Sequence, residues 1–517
     1  MENSGKKSVK AISLVMVLTL AGKLLGLLRD RLLTVNYGSG MATNAFLTAS
    51  RIPRVFFDAV FASAIAASFI PVFNELSVKK GRRIADGFAG NFISVMALIT
   101  LALTVLGAVF AEPLVSLFAD GYDAETTALC VKLTRIMFPT VLFTGIAYSF
   151  VGILQSLDEF NVPALISVVS NALIILYFLI FNDRFGITGL AVAFLIGWLM
   201  QALVQIPSLA AKRFSFRPSL SLRSEGMKKV FALMLPVMVS TWVQPINLTI
   251  NSKFGSRLFD GSGVSAIELS SNLYLIIVGV FVLSVTNVIF PRLSRLSAGN
   301  EAASFRETLR LTLHSTLYFV IPMTAGLMLL AKPLVDLIYG GGEFDAFSVG
   351  ITSRALVFSA LGMPGYAVQA VVCRAYFAEQ NGRIPLLAGL ASIVVNIILC
   401  IVLIRPLDVA GLALASAAAI TVNAVLLLIP LGKRGFRLSG KDAADAAKSV
   451  LSALIMAAAV WGVRSALGAS TGKIAAVLVP VVAGIAVYFA ATLLLRLEEA
   501  GIVAGMASKL FSVKKGS

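Results

Sequence analysis

Apolar positions run in long blocks along this chain, and short polar segments separate the blocks. About fourteen blocks reach roughly 20 apolar residues, the length that a helix needs to cross the hydrocarbon core of a bilayer. We predict membrane-spanning helices at residues 10–36, 42–75, 88–117, 127–155, 161–182, 187–210, 229–257, 266–292, 308–338, 346–378, 384–405, 409–431, 445–467 and 473–496. Several of these exceed the length needed to cross, which indicates tilted or kinked helices.

The polar segments between the blocks alternate in charge. The basic segments are residues 79–83, 212–229, 292–310 and 433–437. The neutral or acidic segments are residues 119–125, 183–184, 258–263 and 340–346. Because Lys and Arg accumulate in cytoplasmic loops, the alternation predicts that both termini are cytoplasmic and that the acidic loops lie outside.

An internal repeat predicts the architecture. The segment FIPVFNELS (69–77) resembles IFPRLSRLS (289–297), and AEPLVSLFADGYDAE (111–125) resembles AKPLVDLIYGGGEFDA (331–346). ITGLAVA (187–193) resembles VAGLALA (409–415) at nearly the same offset. Each copy contains six predicted spans, so the copies are parallel, and transporters built this way bind substrate between their lobes. The predicted divisions are an N-lobe at 1–215, a C-lobe at 216–438 and two added helices at 439–517.

Composition confirms the membrane class and narrows the function. Of 517 residues, 58% are hydrophobic and 13% are charged, and the mean hydropathy is +0.91. A soluble domain carries about 25% charged residues. The net charge of +17 lies mostly in the short loops, so it does not indicate nucleic-acid binding. Three cysteines and one histidine exclude a paired disulfide framework and a histidine-based metal site or catalytic triad.

Charged residues inside the predicted spans carry the functional information, because a charge at the bilayer centre costs from roughly 3 to over 10 kcal/mol. The first span contains Lys23, Arg29 and Asp30. Lys23 and Asp30 lie two helical turns apart on one face. A span that keeps such residues is expected to border a wet, polar cavity.

The second and seventh predicted spans add further charges. Pro53 is expected to kink the second span, and Arg54 and Asp58, at i and i+4, can pair there in a buried, mid-span position. Arg51 can instead snorkel to the headgroups. The seventh span holds Lys253 and Arg257 in a polar run that also contains Pro245, Asn247 and Asn251.

The signs of these charges predict an anionic cargo. The primary candidates for a cavity site are Lys23, Arg29, Asp30, Arg54, Asp58 and Lys253. Cations outnumber carboxylates in this set, and a guanidinium offers the planar fork of donors that phosphate accepts. A multidrug exporter for cations would show the opposite balance.

The segments LLGLLRD (24–30), YGSGMATNAF (37–46), FIPVFNEL (69–76) and AEPLVSLF (111–118) resemble the MurJ (MviN) family of lipid II flippases, within the MOP exporter superfamily. The resemblance implies an all-α membrane fold of fourteen helices around a central cavity. It also implies that the last two helices form a groove for the undecaprenyl tail. The implied activity is transfer of lipid II to the outer leaflet of the cytoplasmic membrane by alternating access, for peptidoglycan synthesis.

Site residues that the resemblance implies match only in part. Arg29 and Asp30 match the family's arginine–aspartate pair, and Lys23 replaces an arginine. Three further family positions are substituted, by Asn44 for an aspartate, by Phe57 for an arginine and by Asn272 for an arginine. Arg54 lies about one turn from Phe57, and Lys253 and Arg257 are the nearest replacements for the arginine at Asn272. We therefore add Asn44, Arg51, Arg257 and Asn272 as weaker candidates.

Other readings remain open at this point. They are a flippase for another polyprenyl-linked glycan, a multidrug exporter of the same superfamily, and a membrane scaffold without transport activity. An enzyme is not expected, because the spans carry no cluster of carboxylates for metal or general-base chemistry. We expect no metal and no cofactor. Transport is expected to be coupled to the membrane potential, a proton or sodium. The resemblance implies carboxylates of a sodium site that have no counterpart in this sequence, since span 11 offers only Asn396. Expected partners are lipid II, membrane lipids and the cell-wall synthesis machinery.

Overall fold

The computed structural model describes residues 2–433, 435–436, 440–467, 471–501 and 505. Side chains are described for the same residues except 2–13, 56–64, 66–67, 235–236, 239–241 and 243–244. The helices are α1 (Glu2–Tyr37), α2 (Met41–Lys80), α3 (Arg82–Val109), α4 (Ala111–Phe118), α5 (Ala124–Met137), α6 (Thr140–Ser156), α7 (Asn161–Ile180), α8 (Asn182–Leu203), α9 (Ile206–Ala211), α10 (Glu225–Thr241), α11 (Val243–Gly255), α12 (Ser262–Ala298), α13 (Ala302–Ile338), α14 (Ala346–Ala360), α15 (Met363–Ala378), α16 (Arg383–Lys433), α17 (Gly440–Ala466) and α18 (Lys473–Leu494). Across the described residues the regular structure is helical, which confirms the all-α membrane class.

Each predicted span corresponds to one helix, a broken pair of helices, or part of a long helix. Among the described residues, nine helical segments are long and apolar enough to cross a bilayer, and some of them join two consecutive helices, as α5–α6 and α8–α9 do. The pair α14–α15, bent by 48°, would make a tenth. The number fourteen stays a prediction. The break between α10 and α11 falls at Trp242, because Pro245 has no N–H to donate to the carbonyl of Thr241. The second span, in contrast, is one helix through Pro53 and Pro71.

Local structure repeats at the spacing that the sequence predicts. Asp123 caps α5 by accepting from the Thr126 N–H at 2.7 Å, and Asp345, at the corresponding position, caps α14 by accepting from the Ser348 N–H at 2.8 Å. The α5–α6 break corresponds to the α14–α15 break at the same offset. Gly186 within α8 (φ 55°, ψ −153°) and Asp408 within α16 (φ 51°, ψ −130°) interrupt their helices at equivalent places. These agreements support two copies of one structural unit.

Packing divides the chain into two compact units. The first unit comprises Met1–Ser265 with Gly341–Phe344, and the second comprises Ala266–Gly340 with Asp345–Ser517. The seventh span, which the repeat assigns to the C-lobe, therefore packs within the first unit, where α10 lies along α2. The lobe boundaries at residues 215 and 438, which follow from the sequence repeat, stay a prediction.

The first unit is organised around α2, which packs against α3, α5, α6 and α10, while α1 packs along α7. Its core contains stacked aromatic side chains, with Phe69 lying 5.5 Å from Phe88 and 4.7 Å from Phe92 between ring centroids. In the second unit, α13 packs against α14, α15, α17 and α18. Because lipid is as apolar as these side chains, close packing rather than water exclusion holds helices together in the bilayer.

Loops of like character gather at the same end of the first unit. The Glu343 N–H donates to the Val35 carbonyl at 3.0 Å, and the Tyr122 hydroxyl donates to the Asn44 carbonyl at 3.0 Å. These contacts bring two loops predicted to lie outside, residues 119–125 and 340–346, to the end of the first unit where α1 ends and α2 begins. At the other end, Lys229 pairs with Glu75 at 3.2 Å, which joins two segments from the predicted cytoplasmic side.

Candidate functional site

Arg29 is held in place by two partners on different helices. Its Nε and Nη2 donate to Oδ1 of Asp30 at 3.0 and 2.7 Å, and its Nη1 donates to Oδ1 of Asn171 on α7 at 3.1 Å. The Asn171 amide nitrogen in turn donates to the Gly22 carbonyl on α1 at 3.2 Å. Arg29 keeps 25% of its side chain exposed, whereas Asp30 keeps 9%. The guanidinium is therefore oriented and still reachable.

Lys23 lies on the same helix as this pair. It is half-buried, and seven residues of helix separate it from Asp30 by about 10 Å along the axis. Asp30 therefore pairs with Arg29, and Lys23 lies about two turns away on the same helix. The surplus charge that the sequence predicts is present at this helix.

Arg51 and Arg54 have different surroundings on α2. Arg51 is 9% exposed, and its Nη1 donates to the Leu248 carbonyl of α11 at 3.0 Å. This bond ties α2 to the seventh span. Arg54 is exposed, whereas Arg51, Ile52 and Pro53 are buried at this level of α2. The side chains of Asp58 and Phe57 lie outside the described residues, so the pairing of Arg54 with Asp58 stays a prediction.

Asn44 makes contacts that an aspartate could not reproduce. It is fully buried, its amide nitrogen donates to the Ser39 carbonyl at 2.7 Å, and its amide oxygen accepts from the Ser265 N–H at 3.1 Å. A carboxylate has no donor for the first bond. This substitution therefore serves the fold of the first unit by joining α2 to the start of α12.

Lys253 and Arg257 converge on Asp120, in a loop that the sequence analysis treats only as acidic. Arg257 donates from Nε and Nη2 to the two Asp120 oxygens at 2.8 and 2.7 Å, and Lys253 Nζ lies 3.2 Å from the same carboxylate. The hydrogen bonds from Arg257 and Lys253 hold the pKa of Asp120 below its ordinary value of 3.8, against the opposing effect of burial. Both cations are thus engaged at the predicted outer end of the first unit.

The predicted residues therefore form separate groups. The structure brings together Arg29 with Asp30, and Lys253 with Arg257. Asn272 belongs to the second unit, where it is half-buried on α12. Sequence reasoning missed Asn171 and Asp120. Asn171 could have been noticed because it is a polar residue inside the apolar block of α7. Asp120 could not have been singled out, because only its negative charge distinguishes it in the sequence.

A repeated all-helical fold, long apolar helices and a cationic cluster within them define a multi-pass membrane transporter. The description "Lipid II flippase MurJ" belongs to a family model that matches residues 35–481. The chain therefore belongs to the MurJ family of lipid II flippases.

Individual relatives agree with this assignment. The chain is 30% identical to a probable lipid II flippase MurJ of Bdellovibrio bacteriovorus, covering 84% of each chain, and 27% identical to the lipid II flippase MurJ of Burkholderia cenocepacia, covering 82% of this chain and 84% of that one. A solved structure of the lipid II flippase MurJ in an inward closed conformation matches with a TM-score of 0.78 at 27% identity, over 93% of this chain and 99% of that chain. An inward-facing multidrug resistance MATE transporter of the MOP superfamily shares the fold, with a TM-score of 0.67 at 16% identity over 82% of this chain and 98% of that one.

Proposed function

We propose that this protein is a lipid II flippase of the bacterial cytoplasmic membrane. It moves undecaprenyl-pyrophosphate-linked disaccharide-pentapeptide from the inner to the outer leaflet by alternating access, for peptidoglycan synthesis. Family membership over residues 35–481 supports the activity. The single structural observation that carries the site is the Arg29 guanidinium, oriented by Asp30 and Asn171 on α1, the helix of the first predicted span.

The substrate pyrophosphate would be held by an exchange of partners at Arg29. Asp30 accepts two hydrogen bonds from Arg29, so the opposite charges of these two side chains cancel. A pyrophosphate that approaches Arg29 offers further acceptor oxygens in the bidentate geometry that guanidinium favours. Lys23 and Arg54 would then contribute the additional positive charge that a multiply charged pyrophosphate requires.

An apolar groove in the second unit suits the polyprenyl tail. It lies between α13, α17 and α18 and encloses about 620 Å³. Its lining is almost entirely apolar, and includes Pro322, Gly326, Leu330, Val460, Gly484 and Phe489. A hydrocarbon chain needs such a surface and no hydrogen bonds, so the two added helices have a function that the repeated halves do not supply.

Transport rather than catalysis is the role of the family, and the chain acts on lipid II without a chemical step. We propose that both termini are cytoplasmic, as the basic loops favour. Return of the empty site would be coupled to the membrane potential, a proton or sodium. Moving one charge through 100 mV yields about 2.3 kcal/mol, and the neutral Arg29–Asp30 pair lowers the cost of that return. Membrane lipids and the cell-wall synthesis machinery are the further partners we propose.

The decisive test is rescue of a bacterial strain depleted of its own lipid II flippase. The wild-type gene should restore growth and cell shape, and Arg29→Glu and Arg54→Glu should each abolish the rescue because they reverse the charge that holds the pyrophosphate. Arg184→Glu, at an exposed arginine in the first turn of α8, is the matched control and should rescue normally. Normal rescue by both site variants at equal expression would refute the assignment of the site.

A further inference from the structure

A basic pocket lies at the end of the first unit opposite Asp120. It occupies about 320 Å³ and is lined by Arg82, Arg83, Asp86, Ser215 and Arg217. Three guanidinium groups stand against one carboxylate, so the lining carries a surplus of two positive charges. The volume suits a group the size of a phosphate and its ester substituents rather than a macromolecule.

The connector between the sixth and seventh spans is fixed against α3, which keeps Arg217 in place. The Asn91 side chain donates to the Ser221 carbonyl at 2.9 Å and accepts from the Ser221 N–H at 2.7 Å. Gly90 faces the backbone of Arg217 so closely that any Cβ there would collide with it. The arginine is thus presented by a braced backbone rather than by a free loop.

The Arg82 side chain, at the start of α3, is oriented by two contacts. Its Nε donates to Asp86 Oδ1 at 2.6 Å, and its guanidinium lies 5.9 Å from the centre of the Phe73 ring. Its Nη2 is buried and has no hydrogen-bond partner among the described residues. Asp86 therefore uses only part of the donor fork of Arg82, and the exposed part of this guanidinium can meet an anion in the pocket, since the side chain is 40% exposed.

Three neighbouring lysines are already paired with carboxylates, in contrast to the arginines of this pocket. Lys79 lies 2.9 Å from Glu75, Lys80 lies 3.4 Å from Glu225, and Lys229 contacts both carboxylates. The arginine pocket, by contrast, holds only Asp86. It also lies at the first residues of α3, a helix long and apolar enough to span the bilayer, which is where lipid headgroups are found.

From these contacts we infer that Arg82, Arg83 and Arg217 form a binding site for the phosphate group of an anionic phospholipid. Basic pockets beside membrane-spanning helices bind such headgroups, and the planar guanidinium fork matches phosphate oxygens. The site is separate from Arg29 and from the groove of the second unit. That the site faces the inner leaflet rests on the orientation proposed above. That it binds a phosphate group rests only on its three arginines.

The test uses purified, delipidated full-length protein and native mass spectrometry. Phosphatidylglycerol, phosphatidylethanolamine and inorganic phosphate are titrated separately against the wild type and Arg83→Ala/Arg217→Ala. Arg82 is left intact because it pairs with Asp86, and the backbone of residue 217 still packs on Gly90. Arg223→Ala removes an exposed arginine of the same connector outside the pocket and serves as the control. Thermal unfolding without lipid shows whether each variant is folded.

We expect the double variant to bind phosphatidylglycerol at least tenfold more weakly than wild type, since two charge-assisted hydrogen bonds are lost. The control should match wild type, and phosphatidylethanolamine should bind weakly to all three proteins. Equal phosphatidylglycerol affinity in folded wild type and double variant would overturn the site. Binding of inorganic phosphate that needs Arg83 and Arg217, without a preference for phosphatidylglycerol over phosphatidylethanolamine, would overturn the lipid as its source. Neither outcome depends on whether the protein rescues a flippase-depleted strain.

Discussion

At the scale of single residues, a neutral side chain positions the most important charge. Asn171 accepts from Arg29 and donates to the carbonyl of Gly22, so it joins the guanidinium to the backbone of the same helix about two turns earlier. Without Asn171, the Arg29 guanidinium would lose its hydrogen bond to α7 and keep the hydrogen bonds to its sequence neighbour Asp30. The geometry of the cluster therefore depends on a residue that carries no charge.

We expect Asn171→Ala to weaken lipid II binding about tenfold, because a hydrogen bond to a charged group is lost and Arg29 becomes free to move. Arg29→Ala should weaken binding more, and the double variant should bind like Arg29→Ala alone, because Asn171 acts through Arg29. Native mass spectrometry with purified lipid II measures all three. Asn182→Ala removes a comparable bond, to the Tyr37 hydroxyl at 2.6 Å, and should leave affinity unchanged. Additive losses in the double variant would contradict a positioning role.

The Asp120 carboxylate gives a pH-dependent contribution to stability. Its pKa is lower in the folded protein than its ordinary value of 3.8, chiefly because Arg257 and Lys253 donate to it. The stabilisation is therefore fully present above pH about 3.8 and is lost as the pH falls through the lower, folded pKa. Asp120→Asn should lower the melting temperature at pH 7, and the difference from wild type should shrink below pH 4. A difference that stays constant from pH 7 to pH 3 would show that the carboxylate charge is not involved.

At the scale of elements, the two halves differ at one strained position. Gly186 and Asp408 interrupt equivalent helices with positive φ, a conformation that glycine adopts at little cost and other residues do not. Asp408 lies 3.9 Å from Arg354, but both side chains are well exposed, so this pair contributes little. The second copy of the repeat thus carries a backbone penalty that the first avoids.

Asp408→Gly should therefore raise the free energy of unfolding by about 1 kcal/mol. The reciprocal change Gly186→Asp should lower it by a similar amount, because a Cβ at Gly186 meets open space and only the backbone conformation opposes it. Chemical unfolding in detergent measures both variants. Destabilisation by Asp408→Gly would indicate that the aspartate side chain, rather than the backbone break, is what the position requires.

The groove between α13, α17 and α18 can be blocked without disturbing the helices that form it. A Cβ at Gly326 has no neighbour within 4 Å, whereas one at Gly484 would contact Val460 at 2.8 Å. Gly326→Leu should leave melting temperature unchanged or raised, because leucine favours the helix. It should nevertheless abolish rescue of a flippase-depleted strain, because the side chain occupies the space of the lipid tail.

Gly462→Leu is the matched control, since this exposed α17 glycine also has open space around its Cβ and does not line the groove. It should rescue growth. Full rescue by Gly326→Leu would exclude the groove as the path of the polyprenyl chain.

At the scale of the whole molecule, the polar loops specify an orientation in the membrane. The first unit has acidic and glycine-rich loops at one end, where Lys253 and Arg257 pair with Asp120. The basic segments at residues 79–83 and 212–229 lie at the other end. Separation of these two sets of loops is what the positive-inside rule requires of a membrane protein. The rule then assigns the basic end to the cytoplasm.

In a cysteine-free background, Glu343→Cys should react with a membrane-impermeant maleimide in intact cells, because residue 343 is exposed at the acidic end. Arg223→Cys, exposed on the basic connector, should react only after the membrane is permeabilised. Labelling is measured by a mass shift on gels. The reverse pattern would mean that the proposed orientation is inverted.

Much of the fold could be predicted from sequence because each span satisfies its own backbone hydrogen bonds. A run of apolar residues is therefore sufficient to predict a helix, and Pro245 was sufficient to predict a break near the start of α11. The exposure of Arg54 could not be predicted in the same way. Which side of α2 is covered depends on α5, α6 and α10, and no pattern within α2 specifies those neighbours.

By itself, the sequence determined the helical membrane class, the repeat and the excess of cations in the first span, since these depend on composition and on spacing within a helix. Only the tertiary structure decided which partners the charges take. Arg29 meets Asn171 across 142 positions of sequence, and Arg257 meets Asp120 across 137. Helical periodicity relates residues three or four apart, whereas these contacts arise from the packing of α1 on α7 and from the meeting of loops at one end of the first unit.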